Sequence, residues 1–443
     1  MIVNLNISKY INNISGLQVF QILRFGTLFL INIVFAKYIP INENGNYQTL
    51  IFVAGLVTSF WISGLIQSFL TLYKNNKTFG FYDISKKSPK IFNLFILVSF
   101  LSLLAFFVVY IFEKNIAEVE FQTENIPYLN LLLIYIFLSG PTYIIEYIYL
   151  VKDKPKSVIK YGFISFLVQF ILVVSPAIFH YGISYCLWGL IGSTIIRYIW
   201  LLFLLLRYST FVISLNFMKE HFLLALPLIL SALLSGSIPY INGIIISSKI
   251  NKEAFTIFRY GAMELPFVYL FATAFSNAMV QEFSTGNLSE LLIKIKNKSL
   301  RLMHFLFPVT IIFLLLSNWL YPLIFSHDFT KSAGIFNVFL VLIVSRLIFP
   351  QTILIGLKQT RVIMFASLCE IILNTSLSLI FINYYGIIGV AYATFIASVF
   401  EKLISVIYCS IYLKINPQQY ISLSKYFAYS FITIIVYFIV NYI

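Results

Sequence analysis

The stretch 385-YGIIGVAYATFIASVFEK-402 is an apolar run of helical length that opens on a Gly-rich turn and ends with two adjacent ionisable residues, Glu401 and Lys402. An earlier stretch echoes it. The segment 181-YGISYCLWGLIGSTIIRY-198 also follows a long hydrophobic run and opens on Tyr-Gly-Ile, and it carries Arg197 where the later one carries Glu401. The two turns are 204 residues apart, and each closes a set of six apolar segments. Because six is even, both halves enter the membrane from the same side, which predicts parallel repeats related by an axis along the membrane normal. One membrane unit made twice, with charges at matching depth, suggests a transporter with a polar path between two halves.

Composition sets the same frame. Of 443 residues, 60% are hydrophobic and 10% charged, whereas soluble domains carry about 25% charge. Windows of about 20 apolar residues, the length that crosses a bilayer as helix, recur along the whole chain. The predicted fold is an all-α polytopic membrane protein with twelve transmembrane helices in two six-helix lobes, 1–207 and 208–414. A thirteenth transmembrane helix is predicted within 415–443. Helix four is expected over 127–151, helix seven over 222–247, helix eight over 255–280 and helix ten over 333–357. The N-terminus, MIVNLNISKYINN, lacks the basic start and cleavage site of a signal peptide, so the first helix is expected to remain as an anchor.

The net charge of +14 is explained by where it falls rather than by nucleic acid. With a cytoplasmic N-terminus, 20 Lys and Arg lie on the inner side and five on the outer: Lys37, Lys114, Lys249, Lys252 and Lys331. This is the positive-inside pattern, and the basic inner face also suits an anionic lipid surface. Enzyme readings find little support. The three Asp form no DxD pair, no phosphate loop of the GxxxxGK[ST] type occurs, and the four His and three Cys show no metal-ligand spacing. No catalytic residue, metal or bound cofactor is expected.

Nine ionisable residues fall within the predicted helices: Arg24, Glu146, Arg197, Arg259, Glu264, Arg346, Glu370, Glu401 and Lys402. Each costs roughly 2.5–3.5 kcal/mol at the bilayer centre even on insertion scales, so they should face protein or a water-filled cavity. Arg259 and Glu146 stand nearest helix ends, from which they can snorkel. Four of the seven Arg but one of the 23 Lys lie at this depth. Guanidinium stays charged when desolvated and offers a planar fork to pairs of phosphate oxygens. Arg24, Arg197, Arg346 and Lys402 are therefore candidate contacts for a phosphate or diphosphate. Glu264, Glu370 and Glu401, with Arg259 and Glu146, are candidates for ion coupling to a proton or sodium gradient, or for interhelical salt bridges that fix packing.

Three stretches resemble polysaccharide flippases. The stretch 36-AKYIPINENGNYQTLIFVAGLVTSFWISGL-65 resembles their first hairpin, and 224-LALPLILSALLSGSIPYINGIIISSKINKEAFTIFRYGAMELP-266 resembles the start of their second half. The YGIIGVAYATFIAS stretch from Tyr385 resembles their eleven-to-twelve turn. The resemblance is to O-antigen and capsule flippases of the Wzx type, in the superfamily that also contains multidrug and toxic compound extrusion exporters. It implies two six-helix lobes around a central cavity. It also implies an undecaprenyl-diphosphate-linked oligosaccharide moved from the cytoplasmic to the periplasmic leaflet of a bacterial inner membrane, in company with other polysaccharide assembly proteins. One departure is Asn242, where the group often carries Asp. The alternative is a cation-coupled exporter of small amphipathic compounds.

Overall fold

A computed structural model describes residues 13–442, apart from 75–86, 122, 264–267, 269–270, 273–274, 277–278, 280–286 and 358. Among the described residues, twelve helices are long and apolar enough to cross a membrane. They include the C-terminal helix of the predicted set. Helix eight, expected over 255–280, begins as a helix and then runs into residues outside the described set.

The first compact unit ends at Gly236. It holds α1 (Asn13–Tyr38), α2 (Ile41–Lys74), α3 (Pro89–Ile111), α4 (Leu129–Thr142), α5 (Ile145–Val151), α6 (Pro155–Ile178), α7 (Ile183–Tyr208) and α8 (Leu215–Gly236). Its core is assembled from Phe20, Trp61, Leu65, Phe69, Leu94, Ile144, Tyr161 and Leu201, with Ala225 and Ile229 of α8. Side chains such as Phe163, Ile199, Phe203 and Leu206 stay exposed on the outside, as lipid-facing positions do. In lipid, helices associate through close packing and hydrogen bonds rather than hydrophobic burial. Small residues therefore mark the contacts. A Cβ on Gly64 would collide with the backbone of Ile229, so this glycine sets how closely α2 and α8 approach.

The unit boundary falls inside the segment expected as helix seven, not ahead of it. Three hydrogen bonds hold α8 and its linker to the first unit. The Asn93 amide donates to the Val212 carbonyl and accepts from the Ser214 backbone, both at 2.8 Å, which ties the linker before α8 to α3. His221 then bonds the Leu65 carbonyl at 2.8 Å, with its ring between Phe69 and Phe217.

The second unit, from Ser237, holds α9 (Ile238–Lys249), α10 (Lys252–Gly261), α11 (Leu288–Ile324), α12 (Thr330–Val341), α13 (Ile343–Arg346), α14 (Pro350–Gly356), α15 (Thr360–Tyr385), α16 (Ile387–Ile411) and α17 (Leu423–Tyr442). The last of these packs on α11: Tyr429 stacks on Phe307 with centroids 5.3 Å apart and meets His304 Nδ1 at 2.7 Å.

Both Tyr-Gly-Ile motifs are tight helix–helix turns. Gly182 has φ 87° and ψ 170°, and Gly386 has φ 62° and ψ −144°. Only glycine adopts such backbone freely. Shortly after each turn a second glycine, Gly189 or Gly389, rests directly on a carbonyl of the preceding helix, Leu172 or Phe381.

Among the described residues, helix eight leaves helical backbone at Ala262 and Met263, and three more predicted helices are not continuous. Helix four breaks at Tyr143–Ile144, after Pro141; helix seven breaks at Ser237, before Pro239; helix ten breaks at Leu347–Phe349, before Pro350. Proline removes a backbone donor and crowds the preceding turn. It does not decide the matter alone, because Pro176, Pro227, Pro308 and Pro322 sit inside unbroken helices. Helices four and ten hold the same place in the two sets of six, and in each 67% of the spanning window is buried inside the protein, the highest share of the twelve. Broken backbone survives at membrane depth where protein, not lipid, surrounds it.

Candidate functional site

In the first unit, the break in helix four presents Tyr143 and Glu146 to α1 and α7. Arg24 of α1 donates from an η nitrogen to the Tyr143 hydroxyl at 2.9 Å and lies over the same ring, 4.9 Å from its centroid. Arg197 of α7 donates to Gln169 Oε1 of α6 and lies 5.0 Å from the Phe166 centroid. Its Nε is buried with no partner. Glu146, 3% exposed, lies in the field of both guanidiniums. Among the described residues it forms an ion pair with neither. Tyr135, Tyr147 and Tyr161 complete the electrostatic neighbourhood.

The expectation for Glu146 needs correcting: the break lets its carboxylate enter the interior, where a helix end would have let it snorkel. Salt bridging is not how the two arginines are held either. An amide and a phenol, both neutral, orient them, and aromatic faces support them. Their charge is therefore not cancelled by a bonded carboxylate.

In the second unit the break in helix ten lies between Arg346, the last residue of α13, and Gln351, in the first turn of α14. Gln351 bridges two residues of α16. Its amide donates to Glu401 Oε1, while its own oxygen accepts from Lys402 Nζ at 2.6 Å. Lys402 Nζ also lies 3.3 Å from Glu401 Oε2. Neighbouring residues on a helix normally point apart; here a third side chain closes them into a triangle. Glu401 and Lys402 are 3% and 9% exposed. Arg346 and the half-buried Glu370 of α15 act on the same group. Helix ten was expected to carry Arg346 near the middle of a continuous rod, and it carries it at a break instead. Among the described residues of this group, two positive charges, Arg346 and Lys402, face two negative ones, Glu370 and Glu401, unlike in the first unit.

Asn242 belongs to a third, uncharged group. Its amide and that of Asn374 donate to Thr394 Oγ1 at 2.8 and 3.1 Å, and Thr394 donates to the Val390 carbonyl at 2.9 Å. Arg259 stands in the last turn of α10, 5.9 Å from the centroid of the Phe255 ring. Glu264 lies outside the described residues.

The residues missed by reading the sequence are Tyr143, Gln169 and Gln351. All are neutral, so a search for charge passes over them. A local signal was present: Tyr143 follows Pro141 by two residues, Gln351 follows Pro350 directly, and Gln169 is a lone amide in an apolar run.

The fold has solved counterparts. A lipid II flippase, MurJ, in an inward closed conformation superposes with a TM-score of 0.69 at 18% identity, covering 95% of this chain and 91% of that one. An inward-facing multidrug resistance MATE family transporter gives 0.63 at 11% identity, over 91% and 98% of the two chains. A MOP superfamily transporter from Pyrococcus furiosus gives 0.58 at 11% identity, over 90% and 94%. No curated protein sequence matches the chain. The family of polysaccharide biosynthesis proteins, by contrast, matches residues 34–334. With that match spanning more than half of the sequence and the fold that of the MOP superfamily flippases and transporters, the chain belongs to the polysaccharide biosynthesis protein family.

Proposed function

We propose that the chain is a flippase of the Wzx type that moves an undecaprenyl-diphosphate-linked oligosaccharide, an O-antigen or capsule repeat unit, from the cytoplasmic to the periplasmic leaflet of a bacterial inner membrane. The observation that carries this reading is the first-unit cluster: Arg24 and Arg197 lie in spanning helices, are oriented by neutral partners, and keep donor capacity, including the buried Arg197 Nε. Charge-assisted bonds from such forks suit paired phosphate oxygens. Tyr135, Tyr143, Tyr147 and Tyr161 add hydroxyls and ring faces beside them. Arg346 and Lys402 also bring positive charge, but Glu370 and Glu401 match it, so the head group is assigned to the first-unit pair. The family supports a polysaccharide cargo, and the lipid II flippase fold supports a lipid-linked one. No bond is made or broken; the protein lowers the cost of carrying a charged head group through the membrane while the prenyl tail stays in lipid.

The test is complementation of a flippase-deficient strain. The wild-type gene should restore surface polysaccharide, and R24E and R197E should each abolish it while the protein still accumulates in the membrane. Normal display by either variant would remove the assignment. The MATE-like fold favours one second reading, a cation-coupled exporter of small amphipathic compounds. Drug resistance without polysaccharide rescue in the same strain would select it.

A further inference from the structure

Glu146 is a buried carboxylate that the flippase reading does not use. It stands in the first turn of α5, just past the break, 3% exposed, in the field of Arg24 and Arg197 but bonded to neither. The groups around it divide clearly. Arg24 and Arg197 keep their charge at any accessible pH. The other neighbours, Tyr135, Tyr143, Tyr147 and Tyr161, bring phenols, a group type uncharged at neutral pH. On α6 the lysines Lys156 and Lys160 are exposed to solvent, Arg207 at the end of α7 lies over the Tyr208 ring, and α2 has no charge between Glu43 and Lys74. Glu146 is thus the group in this cluster whose charge can change.

We infer that Glu146 is a proton-binding site linked to the head-group site: it takes up a proton from water when a diphosphate binds Arg24 and Arg197, and releases it when the diphosphate leaves. The inference rests on the diphosphate reading above. With Glu146 ionised the cluster is one charge positive, and a diphosphate diester brings two negative charges, so the loaded cluster would be one charge negative. Buried uncompensated charge is costly, and protonating Glu146 makes the loaded cluster neutral. The linkage is reciprocal: protonated Glu146 strengthens diphosphate binding, and bound diphosphate strengthens protonation.

The experiment uses the purified full-length chain and farnesyl-diphospho-N-acetylglucosamine, whose diester phosphates lack the second ionisation, at about pH 6, of a phosphate monoester. Wild-type affinity should fall by up to about tenfold per pH unit where unliganded Glu146 is ionised. In E146Q, which imitates the protonated form, binding should be tight and nearly independent of pH. Calorimetry of the wild type in two buffers of different ionisation enthalpy should register uptake of as much as about one proton per ligand, which decides the matter even if the variant fails to fold. Equal pH profiles in the two proteins, or no proton uptake by the wild type at any pH, would overturn the inference and leave the diphosphate site standing. No binding by the wild type at any pH would remove both.

Discussion

Lys402 is held by two acceptors, one on Glu401 and one on Gln351, and its removal would strand a buried carboxylate. Breaking such a pair from one side costs about 3–5 kcal/mol, whereas replacing both members with neutral groups is often tolerated. K402M should therefore lower the thermal unfolding temperature in detergent markedly, and E401Q/K402M should regain most of it; equal stability of K402M and the parent would show that the triangle holds nothing. For Tyr143, loss of one hydroxyl bond in Y143F should cost about 1 kcal/mol. A larger drop in polysaccharide rescue than in stability would mean that orientation of Arg24 matters more than packing. At this scale the sequence was half legible. Charged residues inside apolar runs announce themselves by their cost, and the clusters contain Arg24, Glu146, Arg197, Arg346, Glu370, Glu401 and Lys402. Their partners did not announce themselves. A tyrosine or glutamine in a membrane helix is affordable without a reason, and what pairs with what is set by three-dimensional proximity across 119 residues for Arg24 and Tyr143.

Among the elements, the glycine turns and the broken helices make different demands. Gly386 adopts backbone dihedrals closed to other residues, so G386A should cost about 1–3 kcal/mol and loosen the α15–α16 hairpin. Circular dichroism on thermal unfolding would register the loss, and an unchanged midpoint would contradict it. These turns were visible in the sequence because glycine beside a hydrophobic run has few other uses. The breaks were only partly visible. Hydropathy averages over about 19 residues and cannot separate one long helix from two short ones, and the chain holds four prolines in unbroken helices beside those at the breaks. What distinguishes helices four and ten is that protein encloses them, a property of neighbours rather than of local sequence.

For the whole molecule, the sequence predicts orientation from charge, which labelling can check. Cysteine replacing the exposed Lys114 or Lys331 should react with a membrane-impermeant maleimide on intact cells, and cysteine replacing the exposed Lys156 should react only after permeabilisation. The reverse pattern would place the N-terminus outside. Most of the spans were legible because a bilayer demands long apolar segments: among the described residues, twelve of the thirteen expected recur as helices long and apolar enough to cross. The division at Ser237 was not, since it depends on the bonds of Asn93 and His221 that keep α8 with α2 and α3. The interruption in helix ten also bears on biosynthesis. Its window, His327–Arg346, has the lowest mean hydropathy of the twelve spans. It must leave the translocon with its polar break unsheltered, for the residues that seal Gln351 are made 50 positions later in α16. A chain truncated at Gly356 and released from the ribosome should therefore show incomplete insertion of this segment, and the newborn protein should depend on a membrane chaperone until α16 is made.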